Sequence, residues 1–240
     1  MLSSLDALEK AFEATVKKSK EDCGDELEKI RQLTLDIIPH FFKSIMEYRE
    51  SLVSKYMNSL VDTCFLELFR TSGHTLFLSC NGLYRNAFDN IRHTLESIVQ
   101  ALYVDMGHPK ADLETKIEVL KEIEDKTEYH AVRLINKKLK IEHRDKLREE
   151  YKKLSGIIHP SHKQIIATIV DLKKGDEFPA TVDCEMISKI YDSMKVMYDM
   201  FFFLFLYYFP EVKKPLQKNL EFIKSVKVYN LVLLSKVFKV

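Results

Sequence analysis

Glycine and proline are scarce in this chain, and that scarcity constrains its fold more than any other feature of the sequence. Six glycines and six prolines are twelve of 240 residues, or 5%, against roughly 12% in an average protein. β-Sandwiches and barrels need many tight turns, which these two residue types supply. The sequence therefore predicts an all-α protein, an antiparallel helical bundle of about 8 to 10 helices, and excludes a Gly/Pro-rich disordered chain.

The spacing of apolar residues and the positions of the turn residues predict where the helices lie. Two N-terminal helices are expected over 3–21 and 25–38, the second ended or kinked by Pro39. One long helix is expected over 41–79, with Gly73 as a point of disturbance. The clearest pattern lies in residues 83–106, where apolar residues recur every three or four positions and predict a core-facing helix.

Residues 41–106 are thus expected to form a long central hairpin, after which the pattern weakens. A helix is predicted from Pro109 to about Lys126, since proline suits the first turn of a helix, and one or two more helices follow up to Leu154. Residues 164–172 (QIIATIVDL) suit either a helix or a short strand because of their β-branched content.

The C-terminal part of the chain is expected to begin with a loop over 173–182. Asp183 can then cap a helix over 184–209, because a side-chain oxygen at that position accepts from the first turn. The last piece, 216–240, is basic and amphipathic. We find no internal repeat and no low-complexity linker, so one helical domain over 1–240 is the simplest account.

The cysteines and the N-terminus bear on the compartment. The four cysteines form no C-x-x-C pair and have no metal-site spacing, so the sequence predicts neither a disulfide scaffold nor a zinc site. The two that lie in apolar helical stretches, Cys64 and Cys80, are expected to be inert thiols. The N-terminal segment lacks the apolar core of a signal peptide, and the expected location is the cytoplasm.

The strongest apolar run is MFFFLFLYYF, over 200–209. Its ten residues fall short of the ~20 that a helix needs to span a bilayer. We therefore predict a helix buried at the centre of the bundle or in a dimer interface. The alternative is a helix that associates with a membrane surface.

Charge is distributed unevenly along a chain whose formal net charge is only +1. Residues 133–153 carry nine basic and four acidic groups, and residues 211–240 carry seven basic and two acidic groups. Two segments of net charge +5 can contact phosphates. The alternative is a solvated helix face, on which lysine mixed with glutamate is normal.

The first stretch that suggests chemistry lies on the predicted helix over 83–106. Arg85, Asp89, Arg92 and Glu96 fall within about 60° of one another on a helical wheel, as a line of alternating charge beside the apolar face. One interpretation is a structural salt-bridge ladder between helices. The other is a polar site in which an arginine holds a phosphate or carboxylate.

The second stretch is the His-Pro-Ser-His turn over 159–162, which follows an apolar helix end. Gly156 and Pro160 indicate that the helix stops near His159. The helix dipole stabilises a charged histidine there, and imidazole is the usual general acid or base near neutral pH. The alternative is a hydrogen-bonded structural histidine. His159 and His162 alone lack the further ligands of a metal site, so no metal is predicted.

Other chemical templates are absent from the sequence. It contains no phosphate-binding G-x-x-x-x-G-K-[ST], no G-x-G-x-x-G, no H-E-x-x-H and no G-x-S-x-G. No cofactor is therefore implied. The paired Glu-x-x-His of a di-metal bundle is also missing.

Together the two stretches resemble a known superfamily. A Gly-x-Tyr-x-x-Ala turn followed by an Arg…Glu helix resembles the hairpin of HEPN-like helical domains. The residues are Gly82, Tyr84, Ala87, Arg92 and Glu96. The later Leu-Ser-x-x-x-His-Pro-Ser, over 154–161, is similar to a motif in a related group of uncharacterised prokaryotic helical proteins. The match covers roughly residues 60–165.

The resemblance implies an antiparallel helical bundle, often dimeric. The HEPN-like core would be about 41–209, between N-terminal helices over 3–38 and a basic C-terminal segment over 211–240. Many such proteins are ribonucleases of toxin–antitoxin or defence systems. They use an arginine and a histidine separated by four to six residues.

The histidine implied by the resemblance is His159, but the arginine is missing. Lys153, with five residues between it and His159, has a charge but no guanidinium fork, and Arg148 is too far along the chain. This departure favours a protein that does not cleave RNA. Arg92 could still approach His159 from the other helix.

The sequence is compatible with three functions. The first is non-catalytic binding of RNA, nucleotide or a protein partner, in a prokaryotic defence or toxin–antitoxin type role. The second is a metal-independent ribonuclease, with His159 as general acid or base and Arg92 or Lys153 stabilising the transition state. The third is a structural or membrane-peripheral protein that uses the run over 200–209. The candidate binding residues are Arg85, Asp89, Arg92, Glu96, Lys153, Ser161 and His162.

Overall fold

All regular elements that the structure describes are helices, which confirms the predicted all-α class. The structure is a computed structural model, and it describes residues 4–49, 57–124, 126–139, 144–145, 147–149, 151–152 and 182–240. The predicted loop over 173–181 and the ambiguous stretch over 164–172 lie outside these ranges.

Eight α-helices of six residues or more organise the described chain. They are α1 (Ser4–Arg49), α2 (Leu60–Cys80), α3 (Tyr84–Gly107), α4 (Leu113–Glu124), α5 (Cys184–Tyr208), α6 (Lys213–Lys218), α7 (Leu220–Val228) and α8 (Val232–Phe238). A short irregular stretch follows α4, with a 3-10 turn over Thr127–Tyr129 and a π-helix over Leu134–Lys138.

The N-terminal helices differ from the prediction. The two expected helices are one helix, α1, which is kinked at Cys23 (φ −128°, ψ 28°) and continues through Pro39 to Arg49. Pro39 does not end the helix because Ile37, Ile38 and Phe41 around it are buried in the core, and tertiary packing outweighs the local cost of proline.

The prediction of one long helix over 41–79 is wrong, because α1 ends at Arg49 and α2 begins only at Leu60. Ser59 begins α2 as its N-cap, and its hydroxyl accepts from the Asp62 N–H at 3.1 Å. Gly73 lies inside α2 without a break. The central hairpin therefore consists of α2 and α3 alone.

The starts of two further helices agree with the prediction, whereas α4 and the C-terminal piece differ from it. Helix α3 begins at Tyr84 and α5 at Cys184, where the Asp183 carboxylate accepts from the Met186 N–H at 3.1 Å. Helix α4 begins only at Leu113, after Pro109. The expected C-terminal piece over 216–240 is three short helices, because Asn219 caps α7 and the chain turns at Asn230 (φ 51°).

Helix α5 lies at the centre of the bundle and contacts α1, α2, α3 and α8. Its aromatic run is core, since Phe201, Phe202 and Phe205 are fully buried. The rings of Phe41 on α1 and Phe202 lie 4.0 Å apart. The run is therefore not a membrane-facing surface. This finding corrects the hypothesis that the protein associates with a membrane through residues 200–209. Among the described residues, no helix is long and apolar enough to cross a bilayer.

A disulfide joins α1 to α5, contrary to the expectation from the cysteine spacing. Cys23, at the kink of α1, is bonded to Cys184, at the first position of α5, with 5.3 Å between their Cα atoms. Cys64 and Cys80 are free and partly buried. Burial raises the pKa of the Cys64 thiol to about 12 and also raises that of Cys80, which keeps both thiols protonated.

A buried aspartate fixes the last helix against the core. The Asp199 carboxylate on α5 accepts from the Leu233 and Leu234 N–H groups at 2.8 and 2.9 Å, at the start of α8. We expect Asp199→Ala to lower the free energy of unfolding by about 1–3 kcal/mol, because buried donors lose their acceptor. Urea unfolding measures this. The matched control is Asp192→Ala on the exposed face of α5, and equal stability losses in the two variants would contradict the capping role.

Candidate functional site

Four polar side chains meet on one edge of α3. The Arg92 Nε donates to the Glu96 Oε1 at 3.0 Å, and the Tyr151 hydroxyl donates to the same oxygen. The His93 Nδ1 lies 3.7 Å from the other Glu96 oxygen. We call Arg92, His93, Glu96 and Tyr151 the α3 polar cluster.

The cluster lies where the apolar face of α3 meets solvent. Ile91 and Leu95 are buried, while the Arg92 and Glu96 side chains are 24% and 19% exposed. Tyr151 is buried, and burial followed by its hydrogen bond to Glu96 raises its pKa to about 12. It therefore remains a protonated donor, and Glu96 is a carboxylate with two donors on one oxygen.

The remaining predicted residues of this helix do not join the cluster. Arg85 is exposed and Asp89 is half-buried, and neither forms an ion pair with any residue that the structure describes. The expected line of four alternating charges is thus linked only at its C-terminal half. Arg92 is the one arginine of the line that is held in place.

The second sequence stretch, around His159, lies outside the residues that the structure describes. Lys153, His159, Ser161 and His162 lie outside the described residues. Tyr151, just before them, contacts Glu96 on α3, while the Asp183 N–H, just after residue 181, donates to the Tyr84 hydroxyl at 2.8 Å. The described residues on either side of 153–181 are thus both attached to α3, at positions twelve residues or about 18 Å apart.

A second polar cluster is fully buried, and the sequence interpretation missed it. Lys116 on α4 and Asp105 on α3 pair at 2.8 Å with side-chain exposures of 2% and 0%. The Asp105 carboxylate also accepts from the Ser59 hydroxyl at 2.7 Å and from the Val61 N–H at 3.0 Å, and Lys116 donates to the Asn58 carbonyl. Because its groups are satisfied, this cluster holds α2, α3 and α4 together and leaves no free group for a ligand.

The C-terminal lysines remain in solvent. Those on the exposed faces are Lys214, Lys218, Lys224, Lys227, Lys236 and Lys239. Their exposed positions fit a solvated surface, and contact with phosphate stays a prediction. The other basic segment, over 133–153, is described only in part.

The most distinctive surface is apolar. On α2, Leu66, Phe69 and Phe77 are 61%, 64% and 63% exposed, and Phe42 and Met46 of α1 are also exposed beside them. We call these five residues the α1–α2 apolar surface. The sequence interpretation missed this surface because it predicted one helix over 41–79. In the structure these residues belong to two neighbouring helices, and each helix leaves an apolar stripe in water.

Two grooves follow this surface. One, of about 370 Å³, lies between α1 and the N-terminal half of α2 and is lined by Pro39, Phe42, Leu66 and Phe69 among others. The other, of about 690 Å³, lies at the far end beside Phe77. Its lining combines apolar and charged side chains, namely Phe12, Val16, Leu83, Glu13, Lys17 and Lys20.

No described group of three or more histidines, cysteines or carboxylates is arranged to hold a metal ion. Comparison with protein-family models, curated proteins and solved structures found no match for this chain. Its function is therefore argued from the α3 polar cluster and the α1–α2 apolar surface.

Proposed function

We propose that this chain is a non-catalytic HEPN-like helical protein that binds a protein partner through the α1–α2 apolar surface. The observation that carries the proposal is the exposure of Leu66, Phe69 and Phe77, three large apolar side chains on one helix. The largest exposed apolar patch on a protein surface is often an interaction site. The biological setting we propose is a prokaryotic defence or toxin–antitoxin type role, which rests on the resemblance alone.

The α3 polar cluster supports binding over cleavage. A ribonuclease of the kind that the resemblance implies uses an arginine that is free to meet a phosphate. Arg92 is instead paired with Glu96, whose carboxylate repels an approaching phosphate and is itself held by Tyr151. Nucleotide or RNA binding at this edge would require the Arg92–Glu96 pair to separate.

One observation favours the ribonuclease as the second candidate. Tyr151 fixes the chain beside Arg92 and Glu96 only eight residues before His159. In this alternative His159 acts as general acid or base, and Arg92 or Lys153 stabilises the charged transition state.

A cleavage assay tests the choice between these candidates. We expect the native protein to leave both structured and unstructured RNA intact, because the charge of Arg92 is already compensated. Cleavage by the native protein that is lost in His159→Ala would replace our proposal with the ribonuclease. Arg92→Lys should then also reduce the rate.

Binding is tested by a photo-crosslinking amino acid placed at position 69 in cells. We expect a discrete protein–protein adduct at this position, because Phe69 is the most exposed of the five residues of the apolar surface. The matched control places the same group at Leu220, which is 78% exposed on α7. Adducts of equal yield at both positions, or none at position 69, would contradict a specific partner at this surface.

A further inference from the structure

Gly73 is the residue of α2 that the single chain does not explain. It lies in the interior of the helix, where glycine is less favourable than alanine. A Cβ atom added there would meet no atom within 4 Å, so no neighbour that the structure describes requires its small size. Its backbone is also not in the left-handed region that favours glycine. A close approach by something outside the chain would account for it.

The apolar residues of α2 are symmetric about Gly73. Phe69 lies four residues before it and Phe77 four residues after it, both on the exposed face and almost equally exposed. An antiparallel crossing of two α2 helices at Gly73 therefore brings Phe69 of each copy against Phe77 of the other. A contact of this kind is self-complementary and closes after two copies. The absence of a side chain at the crossing lets the two helices approach closely.

The area of the α1–α2 apolar surface fits a second copy. The five residues of the α1–α2 apolar surface leave on the order of 500 Å² of apolar area in water. A standard interface buries about 800 Å² per partner, of which somewhat over half is apolar.

We propose that the partner at the α1–α2 apolar surface is a second copy of this chain, bound through an antiparallel α2–α2 crossing at Gly73. This inference rests on the proposed function, because it names the occupant of the same surface. Phe69 of one copy packs beside Phe77 of the other at both ends of the crossing. The Phe69 side chain of one copy enters the groove that Phe12 and Val16 line in the other copy.

Sedimentation equilibrium of the full chain, from micromolar to hundreds of micromolar, tests the dimer. We expect a native dimer and monomeric Phe69→Glu and Gly73→Arg variants, each with a dissociation constant raised at least about 100-fold. Gly73→Arg keeps the monomer folded, since position 73 faces open space, and circular dichroism verifies the helix content. The matched control Leu220→Glu removes an exposed apolar residue elsewhere and should remain a dimer. A native monomer, or dimers that persist in both variants, would overturn the inference.

A tryptophan reporter separates failure of the dimer from failure of the proposed function. The chain has no tryptophan, so Phe69→Trp gives a single emission signal. Emission that shifts to the blue as dimers form supports the inference. A monomer with a solvent-exposed tryptophan overturns the dimer but leaves the surface free for a different protein. A monomer with a buried tryptophan overturns both, because the chain itself then covers the surface.

Discussion

Reduction of the Cys23–Cys184 disulfide is expected to lower the free energy of unfolding by about 3–5 kcal/mol. The bond closes a loop across a sequence separation of 161 residues, and a long loop loses much conformational entropy in the unfolded chain when it is closed. Domains of this kind are stable by only about 5–15 kcal/mol. The bond therefore accounts for a large share of the total.

Urea unfolding with and without reductant measures this loss. Cys184→Ser should match the reduced native protein, and reductant should then have no further effect. The matched control is Cys80→Ser, which removes a free thiol and should remain as sensitive to reductant as the native chain. Alkylation of the unfolded chain should label two cysteines before reduction and four after it. Four labels without reductant, or equal stability under both conditions, would contradict the bond.

The disulfide also has a local consequence. Cys184 begins α5 next to Asp183, whose N–H binds Tyr84 on α3. Without the bond, the N-terminal half of α1 is held to α5 by packing alone. Hydrogen exchange is therefore expected to increase first in α1 before the kink at Cys23 and in the first turn of α5.

Loss of the buried charge on Asp105 is expected to be the most damaging single substitution in the polar groups of the core. Asp105→Asn should lower the free energy of unfolding by about 3–5 kcal/mol, because Lys116 is left as an uncompensated buried charge. The amide also cannot accept from all the donors that the carboxylate serves, which include the Ser59 hydroxyl and the Val61 N–H.

A double-mutant cycle distinguishes loss of the Asp105–Lys116 interaction from a general loss of packing in the core. Lys116→Met alone should be strongly destabilising, whereas the same change in the Asp105→Asn background should cost much less, because no unpaired charge remains. The matched control is Lys189→Met, which breaks an exposed pair with Glu185 and should leave stability unchanged. Additive losses in the double variant would show that Asp105 and Lys116 do not interact.

The helices with strong local signals could be predicted from the sequence. The apolar period over 83–106 and the capping residue Asp183 are short-range features, and α3 and α5 begin where they indicate. Pro39 and Ser59 illustrate the limit of such features. The burial of its neighbours outweighs the local effect of Pro39, and Ser59 caps a helix from within an apolar pattern that does not mark a boundary.

The candidate sites depended on contacts between distant parts of the chain. Arg92 and Glu96 are four residues apart, so their pairing follows from helix geometry. Tyr151 joins them from 55 residues away, and nothing in its local sequence indicates that contact. Lys153, His159, Ser161 and His162 lie beyond the described residues, and their proposed roles stay predictions.

The scarcity of glycine and proline, together with the apolar periods, by itself determined that this chain is helical, because helix formation is decided by neighbours within a few residues. The tertiary structure alone decided which distant residues contact one another and which remain exposed. It brought Cys23 to Cys184, enclosed Asp105 with Lys116, and left Phe69 and Phe77 of α2 in water. The physical reason is that bonding and burial depend on distance in space, and a sequence pattern records only distance along the chain.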